Sequence, residues 1–156
     1  MGGICAFFGH RDSPTGPAIE NIVENVVRAL IEKGVNEFFV CNEGNFDWIS
    51  RLVMTKLKEE YGHRIYVSFV CAYNPSHLSK TKQNWLSERY EIEYPAEAST
   101  GHPKFSISRR NKYIAERAVY VVCFINRKNG GAYNAVKIAT KLGKKIINIA
   151  DIFVKH

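Results

Sequence analysis

VYVVCFINRKNGGAYNAVKIATKLGKKIINI, residues 119–149, is the stretch whose reading decides the fold. Val119–Ile125 is apolar, β-branched and aromatic throughout, the pattern of a strand buried on both faces. Tyr133–Leu142 has helical spacing and is closed by Gly143 at the usual C-terminal position. Lys145–Ile149 reads as the next strand. Between the first strand and the helix stands Asn129-Gly130-Gly131-Ala132. A double glycine there lets backbone N–H groups approach a ligand closely, and the helix dipole adds partial positive charge, so phosphate is the natural guest. A plain reading stands beside it, in which the glycines only turn the chain. The spacing is neither a Walker loop nor G-x-G-x-x-G.

The chain upstream repeats the alternation. Ile4–Gly9 reads as a strand, followed by a helix from Pro17 to Lys33 with Ile19, Ile22, Val23, Val26, Val27, Leu30 and Ile31 at three- and four-residue spacing. Glu37–Cys41 is a second strand, and a helix from Phe46 or Asp47 to Tyr61 directs Trp48, Ile49, Leu52, Val53 and Leu57 inward. Arg64–Ala72 is a third strand. Residues 76–104 are polar and irregular, and read as a long insertion holding one short helix near Gln83–Arg89. A helix at about Ser108–Arg117 restores regularity.

Strands alternating with helices give βαβ units and a mainly parallel, doubly wound Rossmann-like α/β sheet with helices on both faces. Ligands of such sheets sit outside the carboxyl ends of the strands, near the switch in strand order. The polar residues gather at those ends: Gly9-His10-Arg11, Asn42-Glu43-Gly44, Tyr73-Asn74-Pro75 and Asn126 to Gly131.

The 156 residues, 46% hydrophobic and 24% charged, suit one compact domain over the whole chain. No apolar run reaches the roughly 20 residues that cross a bilayer, and the start lacks the basic region of a signal peptide. A myristoylation reading of Met1-Gly2 conflicts with the short lead into a buried strand. Cys5, Cys41, Cys71 and Cys123 never approach C-x-x-C spacing and fall in strand-like runs, as small buried hydrophobes of a reduced, cytoplasmic protein do. The five histidines are scattered, which argues against a metal site. A formal charge of +7 favours an anionic partner. The cations are spread, with Arg109-Arg110-Asn111-Lys112 and Lys141 to Lys145 the tight groups, so nucleic acid is allowed but disfavoured.

Five ordered motifs at strand ends carry a resemblance: Gly9-His10-Arg11-Asp12, Asn42 to Asp47, Ala72-Tyr73-Asn74-Pro75, Arg110-Asn111 and Gly130-Gly131-Ala132. Together they resemble the SLOG superfamily, the Rossmann-like group named after the Smf/DprA and lonely-guy (LOG) proteins. Within it, the nearest pattern is the small stand-alone branch related to YpsA and the DUF1273 proteins. The resemblance spans nearly the whole chain and implies a nucleotide or nucleotide-derived ligand at the glycine loop, with no further cofactor. It also implies frequent self-association, so a homodimer or higher oligomer is allowed. In LOG-type phosphoribohydrolases the loop runs P-G-G-x-G-T-x-x-E, and its glutamate serves the breaking of an N-glycosidic bond. Lys137 stands at that position here, and a cation cannot replace the carboxylate. The branch often has Ser-Asp after the Arg-Asn helix, where this chain has Ala118-Val119.

The expected ligand-binding residues are therefore Gly9, His10, Arg11, Asn42, Glu43, Gly44, Tyr73, Asn74, Arg110, Asn111, Gly130, Gly131 and Ala132. Arg110 offers forked donors matched to phosphate oxygens. Glu43 and Asp47 have two readings: Asp47 stabilises the first turn of its helix, or the pair binds ribose hydroxyls and supplies the carboxylate chemistry of an N-glycosidase or transferase. His10 either faces the ligand or orders its loop. Tyr73, Asn74 and Trp85 are candidates for contacts to a base. The functions that follow are a nucleotide sensor or binding module, an enzyme at an N-glycosidic bond, and a single-stranded DNA binder. The third is weakened by the lack of a basic platform interleaved with aromatics.

Overall fold

The computed structural model describes residues 2–153; Met1, on which the myristoylation reading depends, and the last three residues lie outside them. Six strands form one parallel sheet: β1 (Ile4–Gly9), β2 (Glu37–Val40), β3 (Tyr66–Val70), β4 (Glu91–Glu93), β5 (Tyr120–Phe124) and β6 (Lys145–Asn148), in the order β4-β3-β2-β1-β5-β6. Strand order reverses between β1 and β5, which lie side by side from Cys5↔Tyr120 to Gly9↔Phe124. The sheet is an α/β, Rossmann-like one, as the alternation of strand and helix patterns indicates.

The helices are α1 (Pro17–Glu32), α2 (Asn45–Tyr61), α3 (Lys80–Arg89), α4 (Ala96–Ser99), α5 (Ser106–Arg117), α6 (Gly131–Lys141) and α7 (Ile149–Phe153). Period-two alternation divides the core. Phe7, Phe38, Phe69 and Phe124 join Ile19, Val23 and Val27 of α1, Phe46, Ile49, Val53 and Leu57 of α2, and Ile149 and Ala150 of α7. Their neighbours Ala6, Phe8, Phe39 and Cys123 join Ile114 and Ala115 of α5 and Ala135 and Ala139 of α6 on the other face. The alanines bring α5 and α6 close to the strands. All four cysteines are buried and free.

Three expectations are corrected. Residues 76–104 are not a loop with one helix near 83–89: the helix begins at Lys80, and the segment adds β4 and α4. Glu91-Ile92-Glu93 has too short an apolar content to read as a strand, yet it pairs with Ser68–Val70, and Cys71 N donates to Glu93 O. Trp48 and Leu52 do not point inward; they are 45% and 39% exposed. The buried face of α2 runs through Phe46, Ile49, Ser50, Val53 and Leu57, and at 3.6 residues per turn Trp48 and Leu52 lie across the helix from it. Ser50 is tolerated inside because its Oγ donates to Phe46 O. Ile149 does not close β6 but opens α7, whose first turn is held by Asn148 Oδ1 accepting from Ala150 N.

Candidate functional site

A cavity of about 250 Å³ opens at the carboxyl ends of β1 and β5, where strand order reverses. Gly9, His10 and Arg11 enter it from β1, Glu43 and Asp47 from the β2–α2 junction, Arg110 and Asn111 from α5, and Gly130, Gly131 and Ala132 from the start of α6. Topology accounts for this. β1 is central, so its tip is flanked by those of β2 and β5, and α5 and α6 pack against each other over the same face.

Gly130 caps α6 at φ +95°, a left-handed conformation that glycine adopts without strain, and no side chain caps the helix. Asn134 N is the first amide to find an intrahelical partner, Gly130 O. The N–H groups of Gly131, Ala132 and Tyr133 have no acceptor among the described residues. Apart from the adjoining chain and the helix's own backbone, no atom lies within 4 Å of a Cβ placed on Gly130 or Gly131, so the glycines leave open space before those donors. This is the geometry of an oxyanion site.

Arg110 is only 2% exposed. Its Nε and Nη2 donate to Asn111 Oδ1 at 3.2 and 3.0 Å, and Nη2 lies 2.8 Å from Glu43 Oε2. That ion pair is close but poorly aligned, and Glu43 Oε2 is left without a directed donor. Asp47 Oδ2 accepts from Glu43 N at 2.7 Å, so the carboxylate caps the start of its own helix while also lining the cavity. Burial pushes the Asp47 carboxyl up to about 7; the Glu43 N–H opposes the rise and the Glu43 charge adds to it.

His10 is buried and ties the two central strand tips together. Its backbone N–H donates to Phe124 O, and its ring Nε2 accepts from Asn126 N at 3.3 Å. Burial, then the Arg127 charge, holds its pKa below the ordinary histidine value, which suits an acceptor nitrogen. Arg11 is exposed at the rim, and Asn45 N donates to its carbonyl.

Other expected residues lie elsewhere. Asn42 is exposed and outside the cavity lining. Gly44 caps α2 at φ +102°, and a Cβ there would come 2.4 Å from Arg11 Cα, so it serves the packing of two loops. Tyr73 is 53% exposed, and Asn74 Oδ1 accepts from Ser76 N to cap a short 3₁₀ turn; neither lines the cavity. Trp85 packs edge-on to Tyr90 beneath Arg89 and belongs to the frame of α3. Lys137 is exposed on α6 and also outside the cavity.

Arg127 lines the cavity and stands inside the polar strand end Asn126 to Gly131, but it is not among the expected ligand-binding residues. Its Nη2 pairs with Asp12 Oδ1 at 2.9 Å, and its Nε donates to Asn129 Oδ1. A cation three residues before Gly130, in the loop that leaves a central strand, is the signal that points to it.

Two solved structures of DNA processing protein A (DprA) share the fold. The one from Streptococcus pneumoniae has a TM-score of 0.61 and 17% identity, covering 92% of this chain and 49% of that one. The one from Helicobacter pylori, described for its unique single-stranded DNA binding mode, has a TM-score of 0.62 and 15% identity, covering 97% and 71%. This chain thus spans about half the length of the S. pneumoniae protein. Both neighbours are Smf/DprA proteins, a group that belongs to the SLOG superfamily. At these identities the similarity is one of fold. No protein-family model and no curated protein matches the chain.

Proposed function

We propose that the protein is a SLOG-type module, of the small YpsA/DUF1273-like branch, that binds a nucleotide or nucleotide-derived phosphate at the carboxyl ends of its strands and acts as a sensor or binding protein. One observation carries this reading. Gly131 and Ala132, whose amides are unpartnered, line a single cavity at the switch in strand order together with Arg11, Arg110 and Arg127. Its volume of about 250 Å³ falls just under the ~300–1,000 Å³ of sites for drug-sized ligands. It suits a phosphate and its sugar, with the base outside. In this reading Gly131, Ala132 and Tyr133 donate to the phosphate, and Glu43 Oε2 accepts from a ribose hydroxyl. Asp47, committed to Glu43 N, shapes the wall.

The test is an amide-resolved NMR titration with inorganic phosphate and 5′-mononucleotides, backed by mass spectrometry of whatever co-purifies. Shifts at residues 130–133 that vanish in Gly131→Val are expected. The absence of any shift there overturns the reading. Neither φ nor contacts at Gly131 forbid a side chain, so the variant folds.

Single-stranded DNA binding is a second reading, and charge favours it. From Ala118 to Ala150 the chain has no Asp or Glu but carries Arg127, Lys128, Lys137, Lys141, Lys144 and Lys145. Of these, Lys137 and Lys141 lie on α6 beyond its cavity-lining first turn. The fold shared with the H. pylori protein agrees with this. A cytoplasmic location and self-association belong to the same proposal; no helix among the described residues is long and apolar enough to cross a membrane.

A further inference from the structure

The Arg127–Asp12 ion pair links the loops that leave β1 and β5, and the architecture does not need it. Main chains on the two sides are already tied by His10 N to Phe124 O and by Asn126 N to the buried His10 Nε2. The pair itself is exposed, 43% at Arg127 and 70% at Asp12. Such pairs are weak, worth about fivefold at most in an equilibrium constant. Arg127 lines the cavity, whereas Asp12 stands outside it. The remaining guanidinium groups are differently committed. Arg110 is buried against Asn111 and Glu43, and Arg11 has no ion pair among the described residues. Of the cavity's arginines, Arg127 is therefore the one whose anion is both present and cheaply exchanged.

We propose that Asp12 and the ligand phosphate compete for Arg127, and that this competition makes the site selective for a terminal phosphate monoester over an internal phosphodiester. This rests on the phosphate reading given above. A monoester carries about −1.5 to −2 charges at pH 7, and its three terminal oxygens can take both arms of a guanidinium. A diester carries one charge and fewer free oxygens, and gains less by displacing a carboxylate. Asn129 Oδ1, holding Arg127 Nε, keeps the fork beside Gly130 while Nη2 changes partner. His10 beside the pair accepts from Asn126 N through Nε2, and burial holds its pKa below the ordinary histidine value.

The experiment titrates wild type, Asp12→Asn, Arg127→Gln and the double variant with methyl phosphate and dimethyl phosphate at pH 8, read by the amide shifts of Gly130–Tyr133. Asp12→Asn should tighten methyl phosphate about two- to fivefold, with no gain in the Arg127→Gln background. Arg127→Gln should weaken methyl phosphate more than dimethyl phosphate. Arg127→Lys, which keeps the charge and loses the fork, should erase the preference between them. Unchanged or weaker binding in Asp12→Asn overturns the proposal. An equal gain in the Arg127→Gln background does so too, since it would mark simple long-range charge removal. If methyl phosphate shifts none of these amides in any protein, the phosphate site itself is wrong. That outcome is distinct from a failed competition at an existing site.

Discussion

A Cβ added to Gly9 would lie 2.3 Å from both Cβ and Cγ of Phe46. The last residue of β1 is thus a glycine because the first turn of α2 crosses it, not because a ligand does. Phe46 is fully buried and stacks toward Phe124, so its ring cannot swing away. Gly9→Ala should cost about 1–3 kcal/mol by overpacking. Phe46→Ala placed on top of it, which removes Cγ and the ring, should recover part of that loss, whereas Phe46→Ala alone should destabilise. Urea denaturation of the three variants measures all of this. Full additivity would show that the two residues do not share space.

Asp47 makes stability depend on pH in an unusual direction. Its carboxyl titrates near 3.8 when solvated and about 7 in the fold, so between those values the native state holds more protons than the unfolded chain. Stability contributed by this group is complete below pH 4, falls as pH rises toward 7, and is level above. His10, with a depressed pKa, acts the opposite way just below its ordinary 6.5. Comparison of wild type with Asp47→Asn separates them. The variant keeps an oxygen to accept from Glu43 N, so it should lose the downward slope and be more stable at pH 8, by on the order of a few kcal/mol. Thermal melts from pH 4 to 8 give the difference curve; parallel curves would place the Asp47 pKa at its solvated value.

Glu43 and Arg110 discriminate an enzyme from a binding module. The guanidinium is buried, and the carboxylate keeps 18% side-chain exposure. Arg110→Met should cost about 1–3 kcal/mol, the desolvation penalty of the carboxylate left behind. Glu43→Gln keeps an acceptor for a ribose hydroxyl but removes the charge. For a binding module, nucleotide affinity changes less than about fivefold and neither protein turns over any nucleotide. For an N-glycosidase, wild type releases free base and Glu43→Gln binds without releasing it. Chromatography of nucleotide incubations reads the outcome directly.

Much of this site is legible in the sequence because a parallel sheet brings strand ends together wherever the helices alternate. Gly9, His10, Glu43 and Gly131 share one cavity for that reason, and Arg110 joins them from α5, which packs on α6 over the same face. Tyr73 and Asn74 fail the same rule through strand order: β3 is two places from β1, and its tip is too far from the switch. That order depends on which crossovers run left or right, which motifs at single strand ends do not record. Arg127 is hidden for a different reason. It stands among scattered cations, and only its closeness to Gly130 and Asp12 in space sets it apart. β4 is hidden because an edge strand of three residues needs no apolar run to pair. Trp48 and Leu52 mislead because an apolar residue contributes to a helical pattern whether or not its face is covered.

Charge reversal along α6 separates a mononucleotide from a strand of DNA. Lys141 lies ten residues beyond Gly131, so about 15 Å along the helix axis, nearly two Debye lengths at 0.15 M salt. A ligand confined to the cavity should therefore bind Lys141→Glu within about twofold of wild type. Lys144 and Lys145 follow α6 in the chain and, with Lys141, make the row of cations on which the DNA reading lays its strand; Lys144 Nζ donates to Glu116 O, and Lys145 Nζ lies over the Tyr120 ring. A DNA strand laid on this row would release counterions at each phosphate, giving log K a slope of about −0.7 per contact against log salt. The triple reversal at Lys141, Lys144 and Lys145 should then cut oligonucleotide affinity sharply and flatten that slope by about two units. The mononucleotide reading requires a shallow slope in wild type and no change in the variant. Fluorescence anisotropy of a labelled oligothymidylate from 50 to 300 mM salt, beside the mononucleotide titration, decides between them.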